Sequence, residues 1–309
     1  MKSYSWILIL VGLMMSGAIS GCGGGQREGV LTAKETAEKA DIWETEPSPT
    51  PEPTITAVLQ SSPTPSLTPT PTITPVPIYP PEPREITFQA EDGQELAGMY
   101  FPAGIPDAPV LVLMHWSRGD QAEWEQIAAW IQNRGLAYEQ DFNKTWKMPA
   151  WFPDYPPDLE IAVFTFTFRG CEGGCRGYPA GEWLLDARAG ITAAANLPGV
   201  DGQQILAAGA SIGADGAVDA CVWLNNQGDE EARCRGAFAL SPGSFLTVPY
   251  EQAAGDLLGD DPPAKLYCLY ARRDDAAVET CQSVPGAEVI DYGYVAEHGM
   301  QSDSTGIGP

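Results

Sequence analysis

Gly209-Ala210-Ser211-Ile212-Gly213 is the stretch that most limits what this chain can fold into. It fits G-x-S-x-G, a sharp turn that passes from a strand into a helix and lifts a serine hydroxyl above a sheet. The two outer glycines matter because the turn is tight, and side chains there would meet the neighbouring strand and helix. An apolar run, Ile205-Leu206-Ala207-Ala208, leads into it, and a helix of small residues, expected over 214–224, leads out. The pentapeptide alone is a weak pattern. A strand before it and a helix after it make it informative.

A serine hydroxyl is a poor nucleophile near neutral pH and needs a positioned base. The chain has only two histidines, His115 and His298. His298 stands near the C-terminal end, in Glu297-His298-Gly299. In the chain order that goes with this turn, the serine comes first, then a carboxylate, then the histidine. Leu266 to Ala271 reads as a strand between them, followed by Arg272-Arg273-Asp274-Asp275. A carboxylate just past a strand end is placed to orient the imidazole and to stabilise its charged form.

The rest of the domain alternates strands and helices. Apolar runs on either side of Glu91-Asp92-Gly93-Gln94 predict an antiparallel hairpin of 86–90 with 96–101. Val110 to Met114 is a continuous apolar run, as expected of a strand buried on both faces. A helix is predicted over 121–133, with Trp124, Ile127, Ala128, Trp130 and Ile131 at helical spacing. A strand over 161–168 follows, then a helix over 187–196 opened by Asp186, and strands over 237–240 and 288–292. This alternation predicts an α/β fold, a mostly parallel central sheet with helices on both faces and an N-terminal antiparallel hairpin.

With these elements in place, residues 85–309 resemble an α/β-hydrolase, closest in layout to the dienelactone hydrolase-like branch and related small esterases. The resemblance rests on the Asp92-Gly93 hairpin, Leu113-Met114-His115-Trp116, Phe168-Arg169-Gly170, and Gly209 to Gly213 with the late His298. It implies a Ser-acid-His triad of Ser211, Asp274 and His298, with Asp275 as the alternative acid and a candidate cap for the following helix. It implies that the N–H groups of Ile212 and Trp116 face the developing oxyanion, with Ser117 as the alternative to Trp116. It makes His115 and Arg169 structural, and leaves Glu172 and Arg118 as solvated loop charges. The activity implied is cleavage of carboxylic esters through an acyl-enzyme, with no cofactor and a small-molecule ester as substrate.

Two segments depart from that family. Tyr138 to Asp158 is long and rich in Trp, Phe and Pro, and is read as packing rather than a lid. Gly299 to Pro309 is a poor helix where the family has one, which leaves open how one sheet face is covered. No long apolar insertion lies between Leu240 and Leu266, so a fairly open pocket suited to small or soluble esters is expected.

The N-terminal part is of another kind. Residues 1–21 read as an export signal: Lys2, an apolar run from Trp6 to Met15, then small residues. The run is shorter than the roughly 20 residues a membrane span needs. Ile19-Ser20-Gly21-Cys22 resembles the bacterial lipoprotein signal, which implies lipidation of Cys22 and anchoring at the cell surface or envelope. Residues 22–84 are rich in Gly and then in Pro and Thr, a composition that cannot bury a core. They read as a semi-rigid stalk with a reach on the order of 100 Å.

Net charge and cysteine use narrow the class further. The formal charge of −24 argues against nucleic-acid partners and anionic lipid surfaces. Seven cysteines leave six once Cys22 is set aside, an even set that suits disulfides in an exported protein. Closeness in sequence favours Cys171 with Cys175, Cys221 with Cys234, and Cys268 with Cys281. A zinc site at Cys171 and Cys175 has no histidine near it. The chain is therefore expected to be a monomeric, lipid-anchored serine esterase. The alternatives are a serine peptidase of the same fold and a catalytically silent surface binding module.

Overall fold

In the computed structural model, residues 81–134, 156, 159–228, 230–294 and 298 are described. The signal expectation, the stalk up to residue 80, the aromatic stretch of Tyr138 to Asp158 except Pro156, and Gly299 to Pro309 lie outside these residues, while Arg84, the last residue of the expected stalk, opens the first strand. The elements are β1 (Arg84–Gln89), β2 (Glu95–Phe101), β3 (Ala108–Met114), α1 (Ala122–Ile131), β4 (Ala162–Phe166), α2 (Ala180–Ala195) and β5 (Val200–Ala210). They continue with α3 (Ile212–Asn225), β6 (Cys234–Leu240), α4 (Tyr250–Leu258), β7 (Lys265–Tyr270), α5 (Asp275–Gln282) and β8 (Glu288–Asp291).

The strands form one 8-stranded sheet in the order β1-β2-β4-β3-β5-β6-β7-β8. β1 and β2 pair antiparallel, and β2 pairs antiparallel with β4; all the other pairs are parallel. This is the α/β-hydrolase arrangement. The hairpin turns at Asp92-Gly93, where Gly93 adopts φ +84°. β3 and β4 are buried along their whole length, as central strands covered on both sides must be.

The pleat divides the core in two. Val110, Val112 and Met114 of β3 face a cluster that takes in α2, α3, α4 and α5. Leu111 and Leu113 face the other side, where Trp124, Ile127, Ala128 and Ile131 of α1 pack. Those four positions repeat at helical spacing, so α1 presents one apolar stripe. Among the described residues, α1 is the helix on this second face.

Two expectations about helix starts need correction. α2 begins at Ala180, not at Ala187, and Asp186 is an interior residue of it rather than its opener. The reason is tertiary: the Asp186 side chain is fully buried and turned to Arg169. α5 is capped by Asp274, whose carboxylate accepts the Ala277 N–H, and Asp275 is the first helical residue. α4 was not anticipated; its sequence is short and mixed, with Pro249 as N-cap and Gly259 as C-cap. The three cysteine pairs favoured by sequence closeness are bonded.

Two buried polar ties hold the loops at the C-terminal ends of the strands. Arg169, just past β4, binds Asp186 of α2 through its N–H and guanidinium and reaches Asp92 in the hairpin turn with the same guanidinium. His115, just past β3, has no solvent exposure. Its Nε2 accepts the Phe168 N–H at 3.0 Å, so the ring proton sits on Nδ1 and is donated to the Trp116 carbonyl at 2.7 Å. The bond accepted by Nε2 requires a neutral ring, and burial lowers the His115 pKa to about 4.

These ties predict two measurable effects. Asp186→Ala leaves a partly buried guanidinium without its fully buried partner and should cost about 3–5 kcal/mol, a fall on the order of 10 °C in Tm. Asp92→Ala, whose carboxylate is 35% exposed, should cost about 1 kcal/mol or less; equal losses would contradict this ranking. For His115, the unfolded chain takes up a proton near pH 6.5, but the folded chain only at about 4. The contribution is complete above the unfolded value and is lost as pH falls towards 4, about 3 kcal/mol in all. Imidazole NMR should find His115 neutral with the proton on Nδ1 at about pH 5; a charged ring there would refute the assignment.

Candidate active site

Ser211 stands between the end of β5 and the start of α3 with φ +55° and ψ −117°. That conformation costs on the order of 1–3 kcal/mol for a residue with a side chain. It is held by backbone bonds: the Ser211 N–H donates to Leu240 at 2.9 Å, and its carbonyl accepts the Ala214 N–H at 2.9 Å. The flanking glycines allow the turn. A methyl group on Gly209 would overlap the Gly213 carbonyl, and one on Gly213 would overlap the Met114 carbonyl and lie 2.6 Å from that of His115. The helix therefore starts directly against the backbone of β5 and of the segment leaving β3.

The structure brings Ser211, His298 and Asp274 together. His298 Nε2 lies 2.8 Å from Ser211 Oγ, and Nδ1 lies 2.7 Å from Asp274 Oδ2. Nδ1–H donating to a carboxylate leaves Nε2 free to accept the serine proton. Asp274 is buried. Burial works against its ionisation, but the His298 hydrogen bond and charge and the Ala277 N–H hold the carboxyl below its ordinary value. Its other oxygen, Oδ1, caps α5 at 3.3 Å, so one carboxylate orients the imidazole and is itself fixed by a helix start. Asp275 is exposed on the first turn of α5. Ser211 is 3% exposed.

The loop after β3 lies beside this serine. β3 and β5 pair in parallel with Met114 opposite Gly209. Trp116 and Ser211 are each two residues beyond that pair, so they leave the sheet level with one another, and Ser117 is one residue further on. The Trp116 carbonyl accepts Nδ1–H of His115 and the Gly119 N–H, and its indole donates to Glu123 at 2.6 Å. The loop closed by Cys171–Cys175 buttresses the same segment: Cys175 N–H donates to the Ser117 carbonyl and Gly173 N–H to Asp120, both at 2.9 Å. Ile212 is the first residue of α3, where helical N–H groups have no partner in their own helix. Arg118 and Glu172 are exposed. Among the described residues, no group of three or more His, Cys, Asp or Glu side chains could hold a metal ion.

Three neighbours of the site were not anticipated. Phe245, after β6, stands edge-on to the His298 ring at 5.3 Å between centroids. Tyr178 donates its hydroxyl to the Phe245 carbonyl and stacks edge-on against Trp183. Asp215, one turn past Ser211, is buried beneath the same loop. Only Asp215 leaves a trace in the sequence, as one of two carboxylates, with Asp219, among the small apolar residues of α3.

Comparison with known proteins adds names but little force. No protein-family model matches the chain, and no curated protein matches it in sequence. Among solved structures, an esterase of Pyrococcus furiosus is 16% identical, with 70% of this chain and 84% of that one aligned at a TM-score of 0.46. A hyperthermophilic esterase of the archaeon Pyrobaculum calidifontis is 14% identical, covering 71% and 76% at 0.48. An acylaminoacyl peptidase of Pyrococcus horikoshii is 16% identical and covers 70% of this chain but 37% of its own, at 0.45.

Proposed function

We propose that this chain is a serine hydrolase that cleaves carboxylic esters through an acyl-enzyme. The observation that carries the reading is the hydrogen-bonded line from Ser211 Oγ through His298 to a buried Asp274. In the first step His298 Nε2 takes the hydroxyl proton as Oγ bonds to the ester carbonyl carbon. The imidazolium then gives that proton to the leaving alkoxide, and the alcohol departs. Water, deprotonated by the same nitrogen, attacks the acyl-serine; the acid leaves and Ser211 regains its proton. The N–H groups of Ile212 and Trp116 serve as donors to the oxyanion, each worth roughly 3 kcal/mol in the transition state. The register that sets Trp116 level with Ser211 favours it over Ser117.

The substrate favoured is a small or soluble ester. The segment between β6 and β7 carries one short helix, α4, and no large apolar cover. We also infer that the domain is exported and held at the cell surface or envelope through lipidated Cys22 and the Pro/Thr-rich stalk. The apolar run ending in Ile19-Ser20-Gly21-Cys22 supports this, as do three disulfides in the domain, a feature of oxidising compartments.

A fluorophosphonate probe should label Ser211, and short-chain nitrophenyl esters should be turned over. Absence of both labelling and turnover would sink the hydrolase reading. Ser211→Ala should remove both signals, a loss of about 10⁶-fold in kcat, with Tm little changed. Asp274→Asn should cost about 10⁴-fold while Asp275→Asn is close to wild type; similar mild losses in both would refute the choice of acid. Cys22→Ser should move the protein from the membrane fraction to the soluble one, and retention on membranes would refute the anchor.

A further inference from the structure

Asp215 is a buried carboxylate that this chemistry leaves unused. Its oxygens accept two backbone N–H groups of the loop between β6 and α4, from Gly243 at 3.2 Å and from Phe245. That loop does not hold its path by local preference. Ser241 and Ser244 both adopt left-handed backbone, at φ +51° and +54°, which is unfavourable for residues with a side chain. The loop is therefore fixed by ties from outside: the Asp215 carboxylate, the Tyr178 hydroxyl on the Phe245 carbonyl, and the Tyr250 N–H donated to Ser244 Oγ at 2.9 Å. What these ties set is the place of the Phe245 ring, at 87° to the His298 imidazole.

The contact has a mechanical meaning. Asp274 and Ser211 hold His298 by its two ring nitrogens. Two such bonds leave the imidazole free to tilt about the line that joins them. A ring edge packed against the imidazole removes that freedom. We propose that Asp215 is a positioning residue for His298: it clamps the Gly243–Phe245 backbone to the helix that carries the nucleophile, and so sets the ring that keeps the imidazole in line with Ser211 Oγ. This rests on the hydrolase reading above.

The clamp requires an ionised carboxylate. Two N–H donors need two acceptor oxygens, whereas a protonated acid or an Asn turns a donor towards one of them. Burial, with a smaller contribution from the Glu251 charge, raises the Asp215 pKa to about 7 against the pull of the Phe245, Gly243 and Leu246 N–H groups. The groups that face it are Tyr250 and Glu251 from α4 and Tyr178 from the loop before α2. Both tyrosines are pushed above their ordinary range by burial, so neither supplies charge. On its own helix Asp219 is paired with Arg188. The clamp therefore weakens as pH falls through about 7. This protonation adds to the acid limb of the pH profile.

The test compares the full chain with Asp215→Asn and Phe245→Leu, using nitrophenyl acetate from about pH 5.5 to 9, with rates normalised to fluorophosphonate-titratable sites. Both variants should lose about 10²-fold in kcat, the size expected for a displacement near 1 Å, with KM changed much less. The acid limb should be less steep in Asp215→Asn than in wild type. Wild-type kcat in either variant, or an unchanged limb in Asp215→Asn, would overturn the proposal. If Asp215→Asn does not fold, Phe245→Leu decides alone, because it leaves the backbone clamp intact. A wild type that neither labels nor turns over brings down the hydrolase reading and this inference together; an active wild type matched by both variants brings down only the inference.

Discussion

The site depends on a contact between backbones. Because Gly209 and Gly213 have no side chains, α3 starts in contact with β5 and with the chain leaving β3. A single methyl group at either place would push the helix away and separate the serine from the loop beside it. The rest is set by strand spacing. Asp274 follows β7, two strands from β5, or about 10 Å across the sheet. That is too far for a direct carboxylate–serine contact, and one imidazole with a hydrogen bond at each nitrogen spans it.

The polar groups buried around this contact are held mostly by backbone N–H donors. Asp215 uses the loop after β6, Asp274 uses the start of α5, and Asp186 combines the Arg169 N–H with its guanidinium. In a chain with so few cations, amides supply much of the compensation that buried carboxylates need. Amides differ from a lysine side chain because they cannot move without the loop that carries them. Ionisation and loop geometry are therefore coupled at each of these carboxylates, and His115 extends the coupling to the loops after β3 and β4.

The parts legible in the sequence were those written in local pattern. Strands buried on both faces show as apolar runs, the hairpin as Asp-Gly, and α1 as a stripe at helical spacing. The approach of Ser211, Asp274 and His298 was readable because chain order and strand ends constrain it before any coordinates exist. Phe245 and Tyr178 were not readable, since each acts through a loop path that no local signal encodes. Asp186 misled for a related reason. An acidic residue ahead of an alanine-rich run resembles a helix cap, and only the arrival of Arg169 from another strand end shows it to be interior. Nor could sequence separate the neighbouring Asp274 and Asp275, because what distinguishes them is the direction of the chain as it enters α5.

The three disulfides carry a consequence for the order of assembly. They join residues 4, 13 and 13 positions apart. The central sheet instead joins β3 to β5 across the whole of α1, β4 and α2. Short loops close at small entropic cost and long ones must wait for collapse. Each cysteine can therefore meet its partner by local turning of the chain, before the long-range strand pairings form. Oxidation then needs no guidance from the finished sheet.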